Sequence, residues 1–280
     1  MTIISTTLSP TTDPTAAWAT GERSAVRSGT DDLKAVPAAL RSEWIKFRSL
    51  RTNKVMFALA GVIAGLLAWG LAGSKGDPAL TASELFIYPL PLIATMAIVT
   101  GILLFTGEAQ HGTLAGALTA RPARWVLVTA KTTTAIAVGV ALGTIAMAAG
   151  FAGSVAGGLP VGDASTMVSR VLWALLYIAA AAVIGLGVGM IVRHSAGAIS
   201  GLLMWAFVIE SLFAPSLPEG VLHALPFSAG YRLLDAGANF EPPVVIAQEL
   251  VRYQYALIFG GYALVALVVG TVLLYRRDTN

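Results

Sequence analysis

The sequence predicts an all-α integral membrane protein with six transmembrane helices, both chain ends in the cytoplasm, and an amphipathic interfacial helix before the first span. The first observation is composition: the 280 residues are 56% hydrophobic and 12% charged, whereas a soluble domain has about 25% charged residues. The second is that apolar residues form runs of about 20, enough to cross about 30 Å of hydrocarbon. The third is that Lys and Arg gather on one side of these runs.

The chain begins with a polar segment, residues 1–35, which is rich in Thr, Ser, Ala and Pro. It has few large apolar residues, so burial cannot offset the entropy lost on ordering. We therefore expect a disordered cytoplasmic tail. It lacks an apolar run after a basic start, so it does not resemble a signal peptide.

An interfacial helix is predicted over residues 37–53, beginning at Pro37, because proline is favoured in a first helical turn. Leu40, Trp44 and Phe47 share one face. The charged residues beside it are Arg41 and Arg48 on one side and Glu43 and Lys46 on the other. A basic helix with an aromatic face suits the membrane interface. The alternative, a short soluble helix packed on a partner, is less favoured because a span follows at once.

Six apolar spans follow in the domain 36–280. They cover residues 55–73, 85–107, 125–154, 171–192, 195–215 and 253–275. Pro89 and Pro91 predict a kink or a break in the second span. Small residues four apart, such as Gly61 with Gly65, indicate close helix packing. These contacts are either between helices of one chain or between two chains of a dimer. A dimer contact could use Gly61 with Gly65 or Gly197 with Gly201.

Glu210 is the only acid well inside a predicted span. It is either a translocation-path residue or an interfacial residue near the outer end of its span. The following segment, 216–252, is too short and interrupted to cross the membrane. Its apolar pieces suit short helices on or in the outer leaflet, or a plain structured loop.

The distribution of basic residues gives the orientation. Fourteen of the 18 Lys and Arg residues lie on the side of the amino-terminal tail. The positive-inside rule therefore predicts that both termini and the loop between spans two and three are cytoplasmic.

Several chemistries are not indicated by the sequence. There is no GxxxxGK[ST] phosphate loop, no HExxH and no GxSxG, and the three histidines are scattered. The chain has no cysteine, and a net charge of +3 is too small to indicate nucleic-acid binding. We therefore expect neither catalysis nor a metal site, and no cofactor held by this chain.

Three stretches resemble bacterial ABC-2-type permeases of the drug and antibiotic export class. They are ALRSEWIKFRSLRTNKVMF at 39–57, GEAQHGTLAGALTARPARWVLVTAK at 107–131 and LPFSAG at 225–230. The second is similar to the loop pattern of that family in Glu108, Gly112, Thr113, Pro122, Arg124 and Lys131. The tail, residues 1–35, lies outside the resemblance.

The resemblance implies a permease homodimer in the bacterial plasma membrane, joined to two copies of a separate ABC ATPase that binds ATP and Mg²⁺. It implies that the loop between spans two and three docks in the ATPase and couples it to the spans. The coupling residues would be Glu108, Gly112, Thr113, Leu114, Leu118, Arg121, Pro122, Arg124 and Lys131.

Within this loop, Leu114 and Leu118 lie one helical turn apart and suit a groove in the ATPase. Glu108 is placed to pair with Arg124 or Lys131. The alternative is that these charges only anchor the loop at the lipid headgroups.

The implied activity is outward movement of a hydrophobic or amphipathic cargo by alternating access, with no reaction catalysed by this chain. Two other functions stay open: a self-powered secondary transporter or channel, and a non-transporting membrane scaffold or sensor. The cargo class is also open among hydrophobic drugs, antimicrobial peptides, lipid-linked molecules and ions.

Overall fold

The computed structural model describes residues 29–49, 51–74, 80–112, 124–234 and 250–277. The regular elements in these ranges are helices. The α-helices are α1 Gly29–Ser49, α2 Arg51–Ser74, α3 Ala82–Leu85, α4 Leu90–Gln110, α5 Arg124–Ala156, α6 Ala164–Val192, α7 Ser195–Met204, α8 Glu210–Phe213, α9 Glu219–Ala224, α10 Pro226–Leu233 and α11 Arg252–Arg277. A π-helical segment, Trp205–Ile209, joins α7 to α8, and a 3₁₀ turn, Ala214–Ser216, follows α8.

Helix α1 begins at Gly29, eight residues before the predicted start at Pro37, and ends at Ser49 rather than at residue 53. Part of the predicted disordered tail is therefore helical, while residues 1–28 lie outside the described part of the chain. Proline favours a first turn, but a helix also accommodates it further in, at the cost of a backbone hydrogen bond.

Five helical stretches are long and apolar enough to cross a membrane, among the residues described. They are Arg51–Ser74, Ala82–Gln110, Arg124–Ala156, Ala164–Val192 and Arg252–Arg277. The sixth predicted span, 195–215, is instead a succession of short helical segments, of which Ser195–Ile209 is the apolar part. Composition alone could not show this change of helix type.

The predicted break in the second span is confirmed. Helix α3 ends at Leu85, a turn follows, and α4 starts after Pro89 with Pro91 in its first turn. The N–H groups of the first helical turn have no acceptor within the helix. The two prolines, which lack an N–H group, therefore destabilise the helix little at this position.

The long helices pack closely where both partners carry small residues. Helix α4 approaches α6 where Gly101 lies against Ala182 and Gly185 lies against Ile98. Gly65 of α2 similarly lies against Gly153 of α5. The small residues of α2, α4, α5 and α6 thus serve contacts within the chain, which is one of the two roles that their spacing predicts.

Side-chain bonds to helix ends join α5, α6 and α11 at one end of the bundle, called here the basic end. Arg124 at the start of α5 donates to the carbonyl oxygens of Leu274 and Tyr275 at 3.2 and 2.9 Å. Arg277 donates to the Ile191 carbonyl of α6 at 2.8 Å. At the opposite end, Arg170 donates to the Ser83 carbonyl at 2.7 Å.

Candidate functional site

The predicted coupling loop is described only at its two ends. Helix α4 ends at Gln110, α5 begins at Arg124, and residues 113–123 lie outside the described part of the chain. Five of the predicted coupling residues fall in that interval: Thr113, Leu114, Leu118, Arg121 and Pro122. Their roles stay predictions.

Gly112 ends the described part of the loop in a left-handed conformation, with φ of 71°. It follows His111, the C-cap of α4. Glycine reverses the chain at a helix end because it has no Cβ to clash in this region. Gly112, one of the predicted coupling residues, therefore sets the direction in which the chain leaves α4.

Four charged side chains from α1, α4 and α5 meet beside these loop ends, and we call them the charge network. Lys131 Nζ lies 3.0 Å from Glu43 Oε2 and 3.0 Å from Glu108 Oε2. Lys46 Nζ lies 3.1 Å from Glu43 Oε1 and 2.9 Å from Glu108 Oε1. Each ammonium bridges both carboxylates, so the charges balance and three helices are tied together.

Lys131 is the innermost member of the network and is only 1% exposed. Besides its two carboxylate partners it donates to the Leu104 carbonyl of α4 at 3.1 Å. A buried ammonium is tolerated only when its charge and its protons are satisfied in this way. Lys131 therefore fixes the start of α5 against both α1 and α4.

Lys46 is the outer member, with a side chain 48% exposed. Partial burial lowers its pKa, but hydrogen bonds and Coulombic attraction to Glu108 and Glu43 outweigh this and raise the pKa above its usual value. The ammonium form is thus held firmly at neutral pH, although its long chain remains accessible to solvent.

The predicted apolar face of α1 is only partly buried: Phe47 packs against the helix bundle, whereas Trp44 is exposed. Phe47 is 5% exposed and Leu40 is half-buried, whereas Trp44 is 42% exposed and stacks on Phe47 with ring centroids 6.1 Å apart. The inward face includes Glu43, one residue before Trp44, because Lys131 lies opposite it. Insertion of this helix in the membrane interface stays a prediction.

Of the two partners predicted for Glu108, the structure pairs it with Lys131. Arg124 instead bonds to the last carbonyls of α11, and its guanidinium lies 5.6 Å from the centre of the Tyr275 ring. A cation is favourable at a helix carboxyl end because the last carbonyls are unsatisfied and carry partial negative charge. Arg124 therefore ties the loop to the last helix.

Sequence reasoning missed Glu43 and Lys46 as members of this site. In the sequence they are charges beside an apolar face, and a lone amphipathic helix does not show which of its sides meets another helix. The signal was present in Lys131: a lysine seven residues inside a long apolar helix requires a buried acid nearby.

A cavity of about 450 Å³ opens beside the charge network, between α1 and α4. Its walls include Phe47, Thr100, Leu103 and Leu104, and its polar edge includes Glu43, Lys46, Glu108 and His111. It is of the size that takes small organic ligands.

Glu210 lies far from this network and caps helix α10. Its Oε1 accepts from Phe227 N and Trp205 Nε1, both at 3.0 Å, and its Oε2 accepts from Ser228 N at 2.8 Å. Because these backbone donors belong to the first turn of α10, the carboxylate also meets the positive end of that helix dipole. This capping role explains its burial; a place on a translocation path stays a prediction.

The described helices define a multi-pass membrane protein with a charge-linked set of helices at its basic end. The family model for "ABC-2 family transporter protein" matches residues 39–211, which is more than half of the chain. The chain therefore belongs to the ABC-2 transporter family, whose members are membrane transport components and are not themselves catalytic. A search of curated proteins gave no match.

Proposed function

We propose that this chain is the permease subunit of a bacterial ABC exporter, acting as a homodimer with two copies of a separate ATPase. It moves a hydrophobic or amphipathic cargo outward, in keeping with the resemblance to the drug and antibiotic export class. The family match supports the class of transporter. The charge network is the observation that supports coupling through the loop between α4 and α5.

The orientation belongs to the same proposal. The basic end faces the cytoplasm, since most of the Lys and Arg residues lie on its side of the chain. The segment 195–216 is the sixth crossing. Its first residue, Ser195, donates to Gln110 of α4 at the basic end, and Glu210 meets α10, which is joined to the start of α11 by Arg252.

Coupling would proceed through the helix ends that flank the loop. ATP and Mg²⁺ bind the ATPase, and its closure moves the docked loop. Because Glu108 and Lys131 sit on α4 and α5 and both contact α1, a displacement of either helix moves the interfacial helix as well. Rigid helices joined by ion pairs transmit such motion as a unit.

The alternative, a self-powered transporter or channel, requires a different arrangement of ionisable groups. Proton or ion coupling uses ionisable groups along a path through the middle of the membrane. The described acids and bases of the charge network lie at one end of the bundle, beside a loop, and so favour coupling to a protein outside the membrane.

The test is purification of the tagged chain from native membranes, followed by assays of associated ATPase activity and of transport in vesicles. We expect an ABC ATPase to co-purify. Gly112→Pro combined with Arg124→Glu should abolish coupling, because proline cannot adopt a φ of 71° and the arginine bonds to α11 would be lost.

The control is Gly158→Pro, which makes the same change at a left-handed glycine, φ 95°, of the opposite end. It should leave ATPase association intact. Full transport by the double variant would refute the role of the loop, and transport without any ATPase would favour the self-powered alternative.

A further inference from the structure

We propose that the cavity between α1 and α4 binds amphipathic cations, molecules with an ammonium head and an apolar body. The site lies at the basic end, where such molecules would enter from the inner leaflet. Its use as a loading site for cargo rests on the proposed function, whereas the binding itself does not.

The walls of the cavity suit an apolar body. Phe47 lies on α1, and Leu103 and Leu104 lie on α4. Thr100 adds little polarity, because its hydroxyl donates to the Met96 carbonyl one turn back. A volume of about 450 Å³ is large enough for a drug-sized molecule or part of a lipid chain.

The charged edge of the cavity favours a cation because its two carboxylates are held unequally by two lysines. Lys131, with a side chain 2% exposed, holds Glu43 and Glu108 from behind, inside the helix bundle. Lys46 holds them from the cavity side and is the exposed partner.

Lys46 can leave at small cost, since half-exposed ion pairs of a long side chain contribute little. Lys131 cannot leave, because its ammonium would stay buried without a partner. Once Lys46 turns toward solvent, two carboxylates remain with one lysine, and the pocket edge carries a net negative charge. A ligand ammonium then occupies the position of the Lys46 Nζ atom, between Glu43 and Glu108.

An anionic amphiphile would have to lie against the same two carboxylates. Lys46 is the one lysine or arginine among the described residues that line the cavity, and its ammonium already serves both acids. Repulsion between like charges in a partly buried site opposes this arrangement. The two signs of ligand charge therefore give opposite responses to the loss of Lys46.

The experiment uses the full chain in nanodiscs and three photoreactive probes with the same alkyl diazirine tail. The heads are a dodecyl ammonium, a dodecanoate and a dodecanol. After illumination, labelled peptides are located by mass spectrometry, and saturation is tested with unlabelled dodecyltrimethylammonium. We expect saturable labelling of Phe47 and of the Leu103–Leu104 peptide by the ammonium probe alone.

Two variants test the role of charge. Lys46→Gln should strengthen labelling by the ammonium probe several-fold, since it removes the competing ammonium. Glu108→Gln should weaken it about tenfold, as expected for losing a close charge partner. Glu43 stays paired with Lys131 in that variant, so the buried lysine keeps a counter-charge.

The matched control is Glu84→Gln, which removes a carboxylate from an ion pair with Arg170 at the opposite end. It should not change the labelling. Preferential labelling by the dodecanoate probe, equal labelling by all three probes, or labelling that does not saturate would each overturn the proposal. The assay contains no ATPase and no ATP, so its failure is distinguishable from failure of the proposed function.

Discussion

Lys131 is the residue on which the charge network depends, because it is the member most removed from water. A lysine in an apolar helix is unfavourable by itself, and its three hydrogen-bonding or ionic partners come from two other helices. The interaction therefore specifies how α1, α4 and α5 meet. Its contribution is best measured by removing the charge while keeping the volume.

Lys131→Met should destabilise the protein by about 3–5 kcal/mol, the usual effect of breaking a buried ion pair. Two carboxylates would face each other without the inner cation. The measurement is the midpoint of thermal unfolding in nanodiscs, compared with Lys54→Met, which removes an exposed lysine three residues into α2. Equal midpoints for the two variants would contradict the importance of the inner pair.

Lys46 gives the network a predictable response to alkaline pH. Its pKa is raised above the usual 10.5 in the folded chain. Its contribution to stability is therefore fully present below the unfolded pKa and is lost as pH rises through the raised, folded pKa. The unfolding midpoint of wild type should fall toward that of Lys46→Met above pH 10.5, and a constant gap between them would contradict the assignment.

At this scale the sequence identified the side chains flanking the loop but not all their partners. Glu108 and Lys131 were found because both border an apolar run. Glu43 was not, because an exposed acid and a buried one look alike in an amphipathic helix. The preference of Arg124 for α11 was also out of reach, since its acceptors are backbone carbonyls about 150 residues away.

At the scale of elements, the segment 195–216 departs furthest from a regular span. It changes from α-helix to π-helix at Trp205 and back at Glu210. A π segment widens a helix locally and is frequent at functional sites. Here the π segment is followed directly by Glu210, which caps α10, and Trp205 Nε1 donates to the carboxylate of Glu210. The irregular segment and the short helix are thus built around a shared polar contact.

Glu210→Gln should loosen α10 by about 1–2 kcal/mol, because an amide nitrogen cannot accept the backbone N–H bonds that a carboxylate oxygen accepts. Hydrogen exchange at Phe227 and Ser228 should accelerate. Asp163→Asn is the control, since it alters the cap of α6 and should leave exchange in α10 unchanged. Unaltered exchange in α10 of Glu210→Gln would show that the cap is not needed.

Close packing of α4 on α6 provides a second test at this scale. Gly185→Ala places a Cβ on the Ile98 carbonyl, so the two helix backbones must separate. We expect a loss of stability of about 1–3 kcal/mol, as for overpacked cores. Gly260→Ala, where a Cβ meets nothing within 4 Å, should be neutral or slightly stabilising. Similar unfolding midpoints for the two variants would contradict tight α4–α6 packing.

Periodicity and prolines were enough to predict most elements. The apolar runs predict four of the five membrane-length helices of the described chain to within four residues at each end. The fifth, α6, starts seven residues earlier than its predicted span. The reason is physical: a helix continues past the hydrocarbon into polar sequence, and there its end is set by a cap, such as Asp163 accepting from Ser165 N at 3.0 Å.

At the scale of the whole molecule, arginine side chains join helix ends to one another at both ends of the bundle. Basic residues cap the carboxyl ends of α6 and α11 at the basic end, where α1 is joined to α4 and α5 by ion pairs. Helix α3 lies at the end of the bundle opposite the basic end. If the segment 195–216 crosses the membrane, α9 and α10 lie at that same end. Tyr262 of α11 donates to the Ala224 carbonyl of α9 at 2.8 Å, which places α9 near the first half of α11. The sixth crossing proposed for 195–216 is consistent with this contact.

The absence of cysteine makes this topology directly testable, because any introduced cysteine is unique. Val161, Val221 and Arg276 are exposed and lie between α5 and α6, on α9 and at the end of α11. A membrane-impermeant maleimide applied to intact cells should label Val161→Cys and Val221→Cys, and Arg276→Cys only after permeabilisation. If Val221→Cys behaved like Arg276→Cys, the segment 195–216 would not cross. If Val161→Cys and Arg276→Cys exchanged behaviour, the basic end would face outward, and a cytoplasmic ATPase could not reach the loop between α4 and α5.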